Sequence, residues 1–155
     1  MNVITKDHIT VGREIVHVRV SSAESGGELL AIDVRMPAGG GPPMLHRHGP
    51  AELYRVESGE LTIYLEDESG ALRRHLAGPG AAVFVPGGRE HTVRNESDAD
   101  ATASVVFTPG EQMERFVRAA GELAAAHAPS PEEMREIAAA HGIELTRPVS
   151  GTVGR

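Results

Sequence analysis

The sequence predicts an all-β barrel or sandwich followed by two helices. Three observations carry that prediction. Apolar and polar residues alternate in short runs, glycine and proline punctuate the chain at short intervals, and helical spacing begins only after Thr108. The alternation is clearest in four runs. Val16, Val18 and Val20 interleave with His17 and Arg19, and Leu30, Ile32, Val34 and Met36 with Ala31, Asp33 and Arg35. Leu61, Ile63 and Leu65 interleave with Thr62 and Tyr64, and Ala101, Ala103, Val105 and Phe107 with Thr102, Ser104 and Val106. A period of two places one set of side chains on a buried face and the other toward solvent. Turns fall at Ser25-Gly26-Gly27, Gly39 to Pro43, Ser58-Gly59, Ser69-Gly70 and Pro86-Gly87-Gly88. No ten-residue helical pattern lies between them, which argues against a parallel α/β sheet.

Beyond Thr108 the spacing changes. Met113, Phe116, Val117 and Ala120 share one helical face, and Thr108-Pro109-Gly110-Glu111 reads as its capping box. Ser130-Pro131-Glu132-Glu133 caps a second helix, in which Met134, Ile137, Ala138 and His141 share a face and Gly142 is the stop. The apolar stripes predict that both helices pack on the barrel. With no internal repeat, residues 1–155 read as one domain, the barrel from about 10 to 108 and the helices from about 109 to 142, with a frayed tail from Ser150 to Arg155.

Composition narrows the function. A net charge of -7 repels phosphate backbones, so no nucleic-acid partner is expected. No basic cluster or long apolar run suggests a membrane. The absence of cysteine removes disulfides, thiolate ligands and cysteine nucleophiles together and fits a reducing, cytoplasmic location. The segment Met1 to Thr10 is polar, with no apolar stretch of the signal-peptide kind.

The candidate chemistry lies in the turns. His46 and His48 stand at i and i+2 and therefore point to one face of an extended segment, with Cα atoms roughly 6.6 Å apart. Two imidazoles so placed can converge on one ion. Glu52 begins the next strand after Gly49-Pro50, and His91 follows the Pro86-Gly87-Gly88 turn, where an antiparallel fold can return it to the first pair. Three neutral imidazoles and one carboxylate form a mixed N/O set that leaves coordination positions open. His8 in the leader, His17 and His75 in strand patterns, and His127 and His141 at helix ends read as surface or capping residues. Arg47, between two candidate ligands, points away from them, and Asn95 reads as a structural hydrogen-bonding residue.

Gly40, His46, His48, Glu52 and Gly59, followed by Gly80, Pro86, Gly88, His91 and Asn95, stand at the intervals of two ordered motifs. In both, the chain resembles the cupin superfamily. The resemblance implies a double-stranded β-helix, or jelly-roll, barrel that holds one divalent transition metal on His46, His48, Glu52 and His91. Mn, Fe, Co, Ni, Cu and Zn all suit such a set. The helical tail also resembles that of single-barrel bacterial cupins similar to quercetin 2,3-dioxygenase. That likeness implies an oxygenase acting on a small enolic or aromatic substrate, with Glu52 as the catalytic base. A metal-dependent isomerase, cyclase or decarboxylase and a non-enzymatic small-molecule or metal-binding module remain open, and a homodimer is expected. Strand parity assigns Met44, Tyr54, Val56 and Val93 to the faces of the ligands as pocket lining, with Phe84 or Val83 joining them.

Overall fold

A computed structural model describes residues 8–149. Most of the polar leader, residues 1–7, and the expected frayed tail lie outside them. Ten strands come first: β1 (His8–Val11), β2 (Glu14–Val20), β3 (Leu30–Met36), β4 (Met44–Arg47), β5 (Ala51–Ser58), β6 (Leu61–Glu66), β7 (Leu72–Ala77), β8 (Ala82–Val85), β9 (His91–Arg94) and β10 (Ala101–Thr108). Helices α1 (Glu111–Ala126) and α2 (Pro131–Ala140) follow, and then a strand the sequence reading did not anticipate, β11 (Glu144–Pro148). His8, assigned to the leader, sits in β1 and pairs with His17.

The strands form two antiparallel sheets of a jelly roll. The six-stranded sheet runs β1-β2-β3-β10-β5-β8 and the five-stranded sheet β11-β4-β9-β6-β7. The runs in β3 and β10 keep their expected parity, whereas a register shift between Val18 and Val20 sets Val20 opposite outward-facing Ala31, and in β6 Thr62 and Tyr64 are buried along with Leu61 and Ile63. Val16, Val18, Ile32, Val105 and Phe107 face inward and are buried, while His17, Asp33, Ser104 and Val106 face outward. The inward side chains form two clusters. One unites Val16, Val18, Leu30, Ile32, Val105 and Phe107 with Met113, Ala138 and Ile143 of the helical segment. The other unites Met36, Val56, Leu61, Ile63 and Val93. Tyr54 and Val34 pack against both clusters and bridge them.

Helix α1 packs on the barrel as its stripe predicts, whereas of the α2 stripe only Ala138 is buried in the first cluster. Met113 and Ala120 are buried, and Phe116 and Val117 lie against the first cluster. The caps differ from expectation at one end. Ser130 and Glu133 form the expected reciprocal capping box of α2, but α1 starts from Gly110 with no side-chain cap. Thr108 is still committed to β10, where it pairs with Ala51, so its hydroxyl is not placed at the helix end. After α2 the chain returns to the five-stranded sheet, where Leu145 of β11 pairs with His46 and Glu144 with Arg47. The helical segment is thus an excursion between two barrel strands, anchored on the far side by buried Ile143.

The approach to β4 depends on one glycine. At Gly41 φ is +100°, and a Cβ there would lie 2.4 Å from the Val93 carbonyl oxygen. Any other residue would push the entry of β4 away from β9.

Ile143→Ala is expected to lower unfolding stability by about 2–5 kcal/mol through a cavity between helix and sheet. Leu76→Ala, at an exposed position of β7, should change it by no more than about 0.5 kcal/mol. Urea denaturation followed by circular dichroism measures both, and equal losses would contradict the role of Ile143.

Candidate metal centre

The site is assembled across the gap between the sheets. His46 on β4 and His91 on β9 are direct cross-strand partners of the five-stranded sheet. His48 follows β4 and shares the face of His46. The chain then crosses at Gly49-Pro50 to the other sheet, where Glu52 projects inward from β5. Gly87 makes the crossing possible, because a Cβ there would lie 2.2 Å from the Gly49 carbonyl oxygen. The two turns are held together by the Gly88 N–H, which donates to the His48 carbonyl at 2.8 Å.

The three imidazoles cluster tightly. Their ring centroids are 4.4 Å apart for His46 and His91, 4.9 Å for His48 and His91, and 5.7 Å for His46 and His48. One ring nitrogen from each lies within 4.8 Å of the others. Local backbone fixes the tautomers. The Nδ1–H of His46 donates to the Met44 carbonyl (3.1 Å), that of His48 to the Pro50 carbonyl (2.9 Å) and that of His91 to the Arg89 carbonyl (2.8 Å). A carbonyl only accepts, so each ring, when neutral, carries its lone pair on Nε2. This is the orientation by which backbone oxygens prepare histidine for a metal.

Glu52, 2% exposed, completes the arrangement. Its Oε1 lies 3.0 Å from His48 Nε2 and its Oε2 3.1 Å from His91 Nε2. The second contact is misaligned for a hydrogen bond, so Glu52 Oε2 and His91 Nε2 are both buried without a partner. Lone pairs and a carboxylate that face one another in a desolvated space repel unless a cation or proton lies between them. Two orphaned acceptors beside three prepared Nε2 atoms therefore fit a divalent metal, and its identity is left open by the donor set.

Electrostatics agree. Burial and neighbouring His91 push His46 down to about 4, so it is neutral at physiological pH. Burial alone would raise the Glu52 carboxyl, but His48 and His91 outweigh it and hold it at about 2. Burial lowers the His91 imidazole, while the adjacent Glu52 carboxylate raises it and prevails.

The strand carrying the ligands is pinned from outside. Arg47 points away from the site as its parity requires, and its guanidinium makes a two-pronged pair with Glu66 at 2.9 and 3.0 Å. Arg147 of β11 binds buried Glu90, the residue before His91, at 2.7 Å. Sequence reasoning missed Glu66, Glu90 and Arg147, because ordinary charges carry no sign of their partners. It also missed Leu145, although the alternation in Glu144-Leu145-Thr146-Arg147 was a usable strand signal.

Among the expected lining residues, Met44 is half-buried, Val56 and Val93 are buried in the second cluster, and Tyr54 stands between the clusters. Phe84 is corrected: it is 58% exposed. It pairs with Leu53 on the outer face of the sheet, whereas Val83 pairs with Tyr54 and faces inward. Asn95 is structural, as expected. Fully buried, it donates to the Met36 and Ala99 carbonyls and accepts from Ser97. A separate surface cavity of about 380 Å³, lined by residues that include Pro109, Gln112, Arg115 and His141, contains no residue of the centre.

A jelly roll that converges three Nδ1-anchored imidazoles between its sheets defines a class of metal-centred β-barrel. Residues 32–107 match the Cupin domain family, and this segment is a cupin domain. Solved structures with the same fold include an oxalate oxidase (24% identity, TM-score 0.53, 65% of this chain and 55% of that one). Another is a sugar phosphate isomerase of the cupin superfamily from Silicibacter pomeroyi (25%, TM-score 0.50, 63% and 60%). A third is a predicted oxalate decarboxylase from Thermotoga maritima (21%, TM-score 0.56, 68% and 93%). The matches thus span little more than half of the first two chains. A comparison with curated proteins returns no match. Among the described residues, no helix is long and apolar enough to cross a membrane.

About one divalent metal per chain is expected in the purified protein. Elemental analysis should show its loss in His48→Ala and in His91→Ala, and wild-type content in both would refute the assignment. Metal affinity should also depend on pH in a specified window. His46 carries no proton to displace above about 4, whereas the proton on His91, whose affinity is raised above the ordinary 6.5, must leave. Affinity should therefore fall as pH drops through the raised His91 value, by roughly tenfold per pH unit for one competing proton. Chelator competition from pH 8.5 to 5.5 reads this directly, and a flat profile would contradict it.

Proposed function

We propose that the protein is a divalent-metal-dependent enzyme in which Glu52 takes a proton from a small enolic or aromatic substrate. The observation that carries this reading is the position of Glu52, a buried carboxylate from one sheet placed against two imidazoles from the other. A carboxylate held at about 2 accepts a proton readily only from a hydroxyl acidified by a nearby cation, which ties base and metal site together. The bound metal would supply that Lewis acidity. His46, His48 and His91 would hold it, with Glu52 as the fourth ligand. Met44, Val83 and Val93 would give the substrate an apolar surround.

Tyr54 supplies a directed contact. Burial, and then the charges of Glu52 and Glu14, raise its phenol well above 10, so it stays protonated and acts as a donor. Its hydroxyl has no hydrogen-bond partner among the described residues, whereas a tyrosine in a core ordinarily finds one. We assign that free donor to a substrate oxygen.

Proton removal from an enolic or aromatic hydroxyl prepares the substrate for attack by O2, which is the quercetinase-like, dioxygenase form of the reading. A redox-neutral isomerase, cyclase or decarboxylase would use the same Lewis acid without O2, and the 25% identity to a sugar phosphate isomerase favours the isomerase as the second reading. A non-enzymatic binding module would need no base.

Metal-replete Glu52→Gln is expected to lose roughly 10²–10⁴-fold in turnover while its amide oxygen still faces the metal. O2 uptake with flavonols, catechols and enediols tests the oxygenase. Solvent deuterium incorporation into sugar phosphates without O2 uptake would select the isomerase, and neither signal would leave the binding module. Tyr54→Phe should keep its metal and bind substrate roughly 2–10-fold more weakly.

A further inference from the structure

The β1–β2 hairpin pairs two histidines that the metal centre does not use. His8 and His17 are direct cross-strand partners. On β2 His17 alternates with buried Val16 and Val18, so it points outward, and His8 shares that face. Their ring centroids lie 5.3 Å apart with the planes inclined by 29°. In the metal centre the corresponding values for His46 and His48 are 5.7 Å and 33°. Two imidazoles on the surface of the sheet thus stand nearly as two ligands stand inside the barrel. Neither ring is tied down. His8 Nε2 has only a long contact with the Thr10 hydroxyl, at 3.4 Å, and His17 makes no hydrogen bond through its ring among the described residues.

The next strand adds a carboxylate. Register continues from His17 to Asp33 on β3, and residues directly opposite have Cβ atoms about 4.5–5.5 Å apart. Asp33 therefore borders the surface pair as Glu52 borders the buried one. Its present partners are the Arg19 guanidinium at 2.6 Å and the Ser104 hydroxyl at 3.2 Å. The Arg19 side chain is 53% exposed, and ion pairs of this kind are weak and exchange readily. His8, His17 and Asp33 thus form one row of metal-ligand residue types across three adjacent strands, with Arg19 as the cation that now neutralises it.

We propose that this row is a second divalent-cation site, open to solvent, in which His8 and His17 are the ligands and Asp33 supplies the balancing negative charge. Imidazole suits Cu2+, Ni2+ and Zn2+ and not Mg2+ or Ca2+, so the site takes a transition ion. Rotation of the two untethered side chains brings one nitrogen of each ring to the ion, and water fills the remaining positions. The site is weaker than the buried centre for a stated reason. There each Nδ1 is fixed by a backbone carbonyl before the ion arrives, whereas here the rings are ordered only on binding. The ion also competes with Arg19 for the charge of Asp33. Loss of Arg19 therefore strengthens binding and loss of the Asp33 charge weakens it, two effects of opposite sign that a merely structural row would not produce.

Calorimetric titration of the chelator-stripped full chain with Cu2+ should show, besides the buried centre, a weaker class of about one ion per chain. His8→Ala and His17→Ala should each abolish that class or weaken it roughly tenfold or more, with the folded signal by circular dichroism unchanged. His48→Ala should spare it. His75→Ala, which removes an exposed histidine of β7 that faces Ile63 across the ladder, should spare it too. Arg19→Gln should tighten the class a few fold and Asp33→Asn loosen it a few fold. Zn2+ should bind this class more weakly than Cu2+, and Mg2+ should give no heat. A wild type without the weaker class, a class that survives His17→Ala at full strength, or Arg19→Gln and Asp33→Asn shifts that are absent or of the same sign would each overturn the proposal.

Discussion

A carboxylate that must stay ionised where water cannot reach it is the constraint on which this structure turns. Glu52 is as buried as the aliphatic core and would be expelled or neutralised there without partners. His48 and His91 meet its two oxygens, and both belong to the opposite side of the sandwich. The sheets are therefore joined at this level by polar contacts, while aliphatic clusters fill the space around it. Tight backbone requirements follow. The chain must leave one sheet at His48 and enter the other at Ala51, and Gly87 must let the facing turn rest on the Gly49 carbonyl.

Rigidity of the imidazoles comes from the backbone rather than from further side chains. Each Nδ1 is satisfied by a carbonyl within two residues, so the orientation of each ring is written into its own strand. Outside the barrel, Arg47 with Glu66 and Arg147 with Glu90 fasten those strands to their neighbours. The inner face is left free for chemistry, and the outer face carries the mechanical load.

How much of this could be read beforehand follows from what each residue must satisfy. Runs such as Leu30 to Met36 were legible because one face is buried and the other wet. β7 was legible only as the strand pattern around His75: its side chains are exposed from Arg73 to Leu76, so little alternation survives. β8 was half legible, since Ala82-Val83-Phe84-Val85 is apolar at every position and its parity is set only by pairing with β5. The clustering of His46, His48 and His91 was legible because a metal demands particular residue types at fixed intervals. Their supporting charges were not, because Glu66 answers Arg47 only through the register of three strands. The α1 cap failed for a related reason: Thr108 had two possible roles, and the sheet claimed it.

The return of β11 to the ligand strand has a consequence for timing. Leu145 pairs with His46 across about a hundred intervening residues, and such distant contacts form late and slowly. During synthesis His46, His48, Glu52 and His91 all emerge before the strand that closes their sheet. The ligands therefore spend that interval on a chain whose sheet is still open on one side.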